Sequence, residues 1–172
     1  ELDASFLYLE SETTPMHIGG VYLFDASDLQ YPLAFSTFVA YLRSRLHVVP
    51  LFRQKLKEIP LRLGRPYWID DPDFSIERHL AYVNLGEHGK QSSLMSLASK
   101  ILEEPLKRDR PLWHITFVDG FKLDDRESEK EGFALIVKLH HAAIDAFSGE
   151  EIMGKLLEYT PEPRAIPQPR PW

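Results

Sequence analysis

Two adjacent histidines, His140 and His141, close the most strand-like run of the sequence, and Asp145 follows four residues after His141. Neutral imidazole is the natural general base near pH 7. Adjacent side chains of an extended segment point to opposite faces, so one ring should face the core and the other a cavity. The pattern therefore indicates proton transfer, with Asp145 either orienting an imidazole or pairing with a distant arginine.

Two other interpretations of these residues stay open at this point. A pair of satisfied core histidines at a strand end explains the pattern equally well. Metal binding is weaker, because adjacent histidines cannot easily bind one ion and no third ligand of suitable spacing is nearby. We therefore predict neither a metal nor a cofactor. The sequence has no cysteine, which excludes a disulfide framework and a thiolate nucleophile within this chain.

Length and charge narrow the class of protein. The 172 residues fit one domain or one lobe of a larger protein. A net charge of −6 without a basic stripe makes nucleic acid an unfavourable partner. The sequence contains no apolar run of about 18 residues, the length that would indicate a membrane-spanning helix. The chain starts at Glu1 rather than Met, so we expect residues before it.

Hydrophobic spacing predicts strands and helices that alternate irregularly. Because helices do not follow every strand, we expect an α/β fold with a mixed sheet. Residues 133–139 are apolar except Lys138, which predicts a central strand covered on both faces. The charged segment 122–131 is predicted to be an exposed connection. Helices are expected over residues 2–10, 32–47, 91–104 and 148–159, and further extended segments over 18–25, 67–69, 74–85 and 114–118.

The end of the sequence differs in composition from the rest. Five prolines lie between Pro161 and Pro171. Such a stretch favours an extended, semi-rigid linker over helix or central strand. We therefore expect one lobe over residues 1–160, and a linker over 161–172 that leads to a C-terminal lobe beyond Trp172.

Three segments together resemble a known family. The two histidines and Asp145 resemble the catalytic signature of the superfamily that includes chloramphenicol acetyltransferase and peptide-synthetase condensation domains. Residues 14–24, Thr-Pro-Met-His-Ile-Gly-Gly-Val-Tyr-Leu-Phe, resemble the N-terminal signature of bacterial wax ester synthase/diacylglycerol acyltransferases. Residues 110–113, Arg-Pro-Leu-Trp, resemble that family's Pro-Leu-Trp motif, about thirty residues before the histidines. Their order and spacing agree with the family.

The resemblance implies roles for individual residues. His141 takes the general-base role, His140 supports it, and Asp145 holds the loop in shape. The family's motif ends in glycine where this sequence has Ala146, a difference that lowers the expected activity if the backbone there needs a positive φ. The residues expected to shape the site or line its channel are Pro111, Leu112, Trp113, His17, Gly19, Gly20 and Ala146.

The resemblance also implies a fold, substrates and partners. The fold would be a chloramphenicol acetyltransferase-like lobe, one half of a two-lobe acyltransferase that is inactive without its C-terminal lobe. The reaction would move a fatty acyl group from acyl-coenzyme A to a long-chain alcohol or to diacylglycerol. The implied location is the cytoplasm, with peripheral contact to the inner membrane or a lipid-droplet surface left open. Two alternatives remain: a condensation-type acyltransferase using carrier-bound thioesters, and a non-catalytic acyl- or lipid-binding module.

Overall fold

A computed structural model describes residues 2–11, 13–30, 32–60, 63–124, 129–144 and 149–157. Its helices are α1 (Leu2–Leu9), α2 (Phe35–Arg45), α3 (Gln91–Glu103) and α4 (Gly149–Leu156). Its strands are β1 (His17–Asp25), β2 (Gln54–Lys57), β3 (Tyr67–Asp70), β4 (Leu80–Gly89), β5 (Trp113–Asp124) and β6 (Glu129–His140). Short 3-10 helices cover Leu46–Val48, Pro50–Arg53, Ile76–His79 and His141–Ala143.

The main sheet has four strands in the order β1-β6-β5-β4. Strand β6 is antiparallel to both of its neighbours, whereas β4 and β5 are parallel. Strands β2 and β3 form a separate antiparallel pair. The predicted α/β fold with a mixed sheet is therefore confirmed.

Helices cover both faces of this sheet. On one face the side chains of Phe117 and Val137 pack with helices α2 and α4. On the other face Val118 and Ile136 pack with helix α3. This alternation follows from the two-residue period of a strand, and each fully buried aliphatic side chain contributes about 1.5–3 kcal/mol. The prediction that residues 133–139 form a central, doubly covered strand is confirmed.

Two segments differ from their predicted structure. The segment 122–131 is not a plain connection, because β5 continues to Asp124 and β6 begins at Glu129. Lys122 is paired with Glu131 across the two strands, and opposite charges on facing residues stabilise such a pair despite its polarity. The segment 74–85 starts as a 3-10 helix, and its strand runs on to Gly89.

The C-terminal part of the chain is only partly described. The predicted helix over 148–159 is present from Gly149 to Leu156. The proline-rich segment 161–172 lies outside the described residues, so its role as a linker stays a prediction. Within the described part of the chain, every helix is too short or too polar to cross a membrane.

Candidate active site

The two adjacent histidines occupy different structural environments at the end of β6. His140 is the last residue of the strand, and its ring is fully buried. Its Nδ1 accepts a hydrogen bond of 3.0 Å from the backbone N–H of Ala142. His141 has already left the strand and begins a 3-10 turn. One histidine of the pair is thus buried in the core, and a turn rather than strand alternation separates the two environments. That the other histidine faces a cavity stays a prediction.

His141 as a residue is only partly buried. One face of the ring stacks on Phe6 of helix α1, with 4.5 Å between centroids and 16° between planes. The backbone N–H of His141 donates a 2.9 Å hydrogen bond to the carbonyl of Met16, in the segment between α1 and β1. Helix α1 and this segment thus both contact His141.

A buried carboxylate faces the ring of His140. The side chain of Glu10 is 8% exposed, and its Oε1 lies 3.4 Å from Nε2 of His140. Because Nδ1 of His140 accepts a hydrogen bond, the proton of the neutral ring resides on Nε2. The 3.4 Å separation is longer than a good hydrogen bond, so the attraction is mainly between the carboxylate charge and the Nε2–H dipole.

Burial lowers the pKa of His140 to about 4, against the opposing effect of the Glu10 carboxylate. Burial alone would raise the pKa of Glu10, but hydrogen bonds from Arg108 and from the backbone of Met16 outweigh it and leave that pKa lowered. At neutral pH the buried pair is therefore a neutral imidazole beside an ionised carboxylate.

Arg108 provides the countercharge. Its Nε donates a 2.8 Å hydrogen bond to Oε2 of Glu10, and its guanidinium also donates to the carbonyl of Leu7 in α1. Glu10 and Arg108 were not predicted from the sequence. They lie 98 residues apart, and no local spacing connects them; only the presence of polar residues close to two motifs could have drawn attention to them.

The Pro-Leu-Trp segment contacts the end of β6 next to the histidines. Leu112 is buried in a small cluster with Leu7 and Ala142, and its carbonyl accepts a 3.1 Å hydrogen bond from the backbone N–H of His140. Trp113 faces away from the histidines into the main core, where its Nε1–H donates to the carbonyl of Phe52 at 2.8 Å. Pro111 is also buried. Leu112 thus contacts the backbone of His140, whereas Trp113 packs in the core. The predicted site-shaping role of the three residues stays a prediction.

His17, Gly19 and Gly20 have structural contacts in β1. His17 pairs with His140 across the strands, and its Nε2–H donates a 2.8 Å hydrogen bond to the carbonyl of Leu102 at the end of α3. A Cβ on Gly19 would lie 2.0 Å from Cδ2 of Leu102, so glycine admits the helix there. A Cβ on Gly20 would lie 3.2 Å from the ring of Tyr22. These contacts give His17 and Gly19 a packing role, and the expectation that His17, Gly19 and Gly20 line a channel stays a prediction.

Asp145 and Ala146 lie outside the described residues. The loop-holding role of Asp145 and the effect of Ala146 in place of glycine therefore stay predictions. Among the described residues, the structure brings together His141, His140 and Leu112 with helix α1.

Comparison with known proteins decides the family. The wax ester synthase/diacylglycerol acyltransferase catalytic domain family matches residues 1–172. The chain belongs to this family. It is 33% identical to a Mycobacterium tuberculosis protein named as a diacylglycerol O-acyltransferase, over 98% of this chain and 32% of that protein. It is 35% identical to the diacylglycerol O-acyltransferase tgs3 of the same species, over 96% of this chain and 58% of that protein.

Solved structures agree with this membership. The wax ester synthase/diacylglycerol acyltransferase of Marinobacter aquaeolei VT8 superposes with a TM-score of 0.75 at 30% identity, covering 97% of this chain and 40% of that one. The starter condensation domain of rhizomide synthetase RzmA gives a TM-score of 0.62 at 15% identity over 89% of this chain and 34% of that one, which shows a shared fold. The chain thus spans between about a third and three fifths of the length of these relatives. The predicted chloramphenicol acetyltransferase-like lobe is confirmed.

Proposed function

We propose that the protein containing this chain transfers a fatty acyl group from acyl-coenzyme A to the hydroxyl of a long-chain alcohol or diacylglycerol, with His141 as general base. The observation that carries the proposal is the contrast at the end of β6. His140 is 0% exposed, and its ring is hydrogen-bonded within its own turn, whereas His141 is only partly buried and its ring stacks on Phe6. This contrast favours His141 over His140 as the residue that meets an incoming hydroxyl.

The proposed reaction begins when the acceptor hydroxyl donates a hydrogen bond to the neutral ring of His141. The ring takes the proton as the oxygen attacks the thioester carbonyl, and a tetrahedral oxyanion forms. Collapse of this intermediate breaks the carbon–sulfur bond and releases coenzyme A as a thiolate, which accepts the proton from the imidazolium. Atoms and charge balance without an acyl-enzyme, which is consistent with a chain that has no cysteine.

Stabilisation of the oxyanion needs hydrogen-bond donors. Since the chain spans 32% of one curated relative and 40% of the solved family structure, we expect donors and acceptor-binding residues from a C-terminal lobe. The 172 residues alone should then form no ester. Because both substrates are lipids, we also expect the protein to act in contact with a membrane or lipid-droplet surface from the cytoplasmic side.

The test is replacement of His141 by Ala in the full-length protein, with acyl-coenzyme A and either hexadecanol or diacylglycerol as substrates. Loss of a general base should lower kcat by about 10²- to 10⁴-fold. His47→Ala is the matched control, since His47 lies in the 3-10 helix after α2 and belongs to neither motif. Ester formation by His141→Ala at close to the normal rate would exclude His141 as the base. Activity only with a carrier-bound thioester would favour a condensation-type enzyme.

A further inference from the structure

We propose that Glu10 and Arg108 are a positioning pair, which sets the ring of His140 and holds the turn and the helix that present His141. The inference rests on the proposed function of His141 and adds two residues that neither motif contains. Glu10 is 8% exposed and accepts hydrogen bonds on both of its oxygens, from Met16 on Oε1 and from Arg108 on Oε2. Three independent connections lead from this pair to His141.

The first connection passes through His140. Its Nδ1 can accept the N–H of Ala142 only while the ring proton is on Nε2, where the Glu10 carboxylate lies 3.4 Å away. In the opposite tautomer, two N–H groups would face each other at Nδ1, and a lone pair would face the carboxylate at Nε2. The carboxylate thus selects the tautomer that closes the turn containing His141.

The second connection passes through the backbone of one residue, Met16. The N–H of Met16 donates to Oε1 of Glu10 at 3.3 Å, and the carbonyl of the same residue accepts the N–H of His141 at 2.9 Å. A shift of the Glu10 side chain would therefore move the backbone group that holds His141.

The third connection passes through helix α1. Arg108 donates to the carbonyl of Leu7 as well as to Glu10, so it ties the last turns of α1 to the segment that precedes Pro111. The same helix carries Phe6, whose ring stacks on His141 at 4.5 Å. Arg108 therefore fixes the surface against which the His141 ring lies.

Glu10→Gln is the informative variant, because it removes the charge and keeps the shape and one acceptor oxygen. Glu58→Gln is the matched control. Glu58 also lies near Arg108, with 3.6 Å between its Oε1 and Nη1, but its side chain is 63% exposed, and no contact joins it to His140 within the described residues. Arg108→Lys is the second variant, since lysine keeps the charge and loses the two-pronged geometry.

The readouts on the full-length protein are steady-state kinetics and histidine ¹⁵N NMR. Glu10→Gln and Arg108→Lys should each lower kcat by about 10-fold or more with KM for acyl-coenzyme A unchanged. The His140 signal should report an Nε2–H tautomer in the unmodified protein and a mixture of tautomers in Glu10→Gln. Glu58→Gln should leave both readouts unchanged.

An Nδ1–H tautomer of His140 in the unmodified protein would overturn the inference, as would unchanged kcat in both variants. If Glu10→Gln does not fold, the kinetics of Arg108→Lys and the His140 tautomer in the unmodified protein still test the inference. The tautomer readout does not depend on catalysis. Full activity of His141→Ala together with the expected tautomers would therefore reject the proposed function while retaining the electrostatic role of Glu10.

Discussion

The two faces of the sheet differ sharply at the end where β5 begins and β6 finishes. Under helices α2 and α4, the ring of Trp113 stacks between Phe52 and His79, with 4.5 Å between centroids on each side. On the opposite face, the next residues along the same strands are His114 and Lys138, which pair across β5 and β6. One face is a packed aromatic core in which His79 is hydrogen-bonded to the carbonyl of Trp113, whereas the other buries His114 and Lys138 side by side.

The polar face has a definite structural task. Lys138 is 4% exposed, and its ammonium donates to the carbonyls of Ile101 and Glu104 at the end of α3. His17 donates to Leu102 in the same turn. These donors satisfy carbonyls that a helix leaves unpaired at its C-terminus. The face next to His140 thus has polar residues that anchor the end of α3. This structural role requires no substrate.

The largest effect should come from the aromatic face. Trp113→Ala should lower the free energy of unfolding by about 3–5 kcal/mol, since it leaves a cavity between Phe52 and His79 and removes the hydrogen bond to Phe52. Urea unfolding measures this loss, with Trp113→Phe as the milder control that keeps a ring in the stack. A loss below about 1 kcal/mol would mean that the two faces do not differ in packing as described.

The second effect is a pH dependence of stability that comes from His114, on the polar face. Burial, reinforced by the positive charge of Lys138, lowers the pKa of His114 to about 4 from a model-compound value of 6.5. Between these values the unfolded chain binds the proton and the folded chain does not, so stability falls as the pH falls from 6.5 towards 4. Full stability is present above 6.5. A shift of this size corresponds to about 3 kcal/mol.

His114→Leu should remove that part of the acid destabilisation. Urea midpoints measured between pH 4 and 7 should show a shallower fall for the variant than for the unmodified protein. Burial also lowers the pKa of His140 to about 4 and lowers the pKa values of His17 and His79, so some slope should persist. Identical slopes in the two proteins would show that His114 takes up its proton in the folded state as it does in the unfolded chain.

The sheet and the histidine motif can be predicted from the sequence, whereas the residues that contact the motif cannot. Strand β6 is evident from its unbroken apolar run, and His141 from its position after it. Glu10 and Arg108 are not, because pairing across 98 residues depends on how the chain folds back. His17 and Gly19 look like motif residues, yet their contacts with Leu102 explain them by packing. The charged ends of β5 and β6 pair through their backbones, which composition does not reveal.

The smallest effect tests how closely the polar face fits helix α3. Gly19→Ala places a Cβ where Cδ2 of Leu102 lies 2.0 Å away, and such overpacking typically costs about 1–3 kcal/mol. Gly20→Ala is the matched control on the same strand, since its Cβ would approach only the ring of Tyr22, at 3.2 Å. Urea unfolding should show a larger loss for Gly19→Ala than for Gly20→Ala.

A double variant decides whether the loss comes from the helix contact. Leu102→Ala removes the clashing methyl groups, so Gly19→Ala should cost much less in that background than in the unmodified protein. Additive losses would mean that Leu102 and Gly19 act independently. In that case the glycine would not be explained by the close approach of α3, and a channel-lining role for residues 17–20 would regain support over packing.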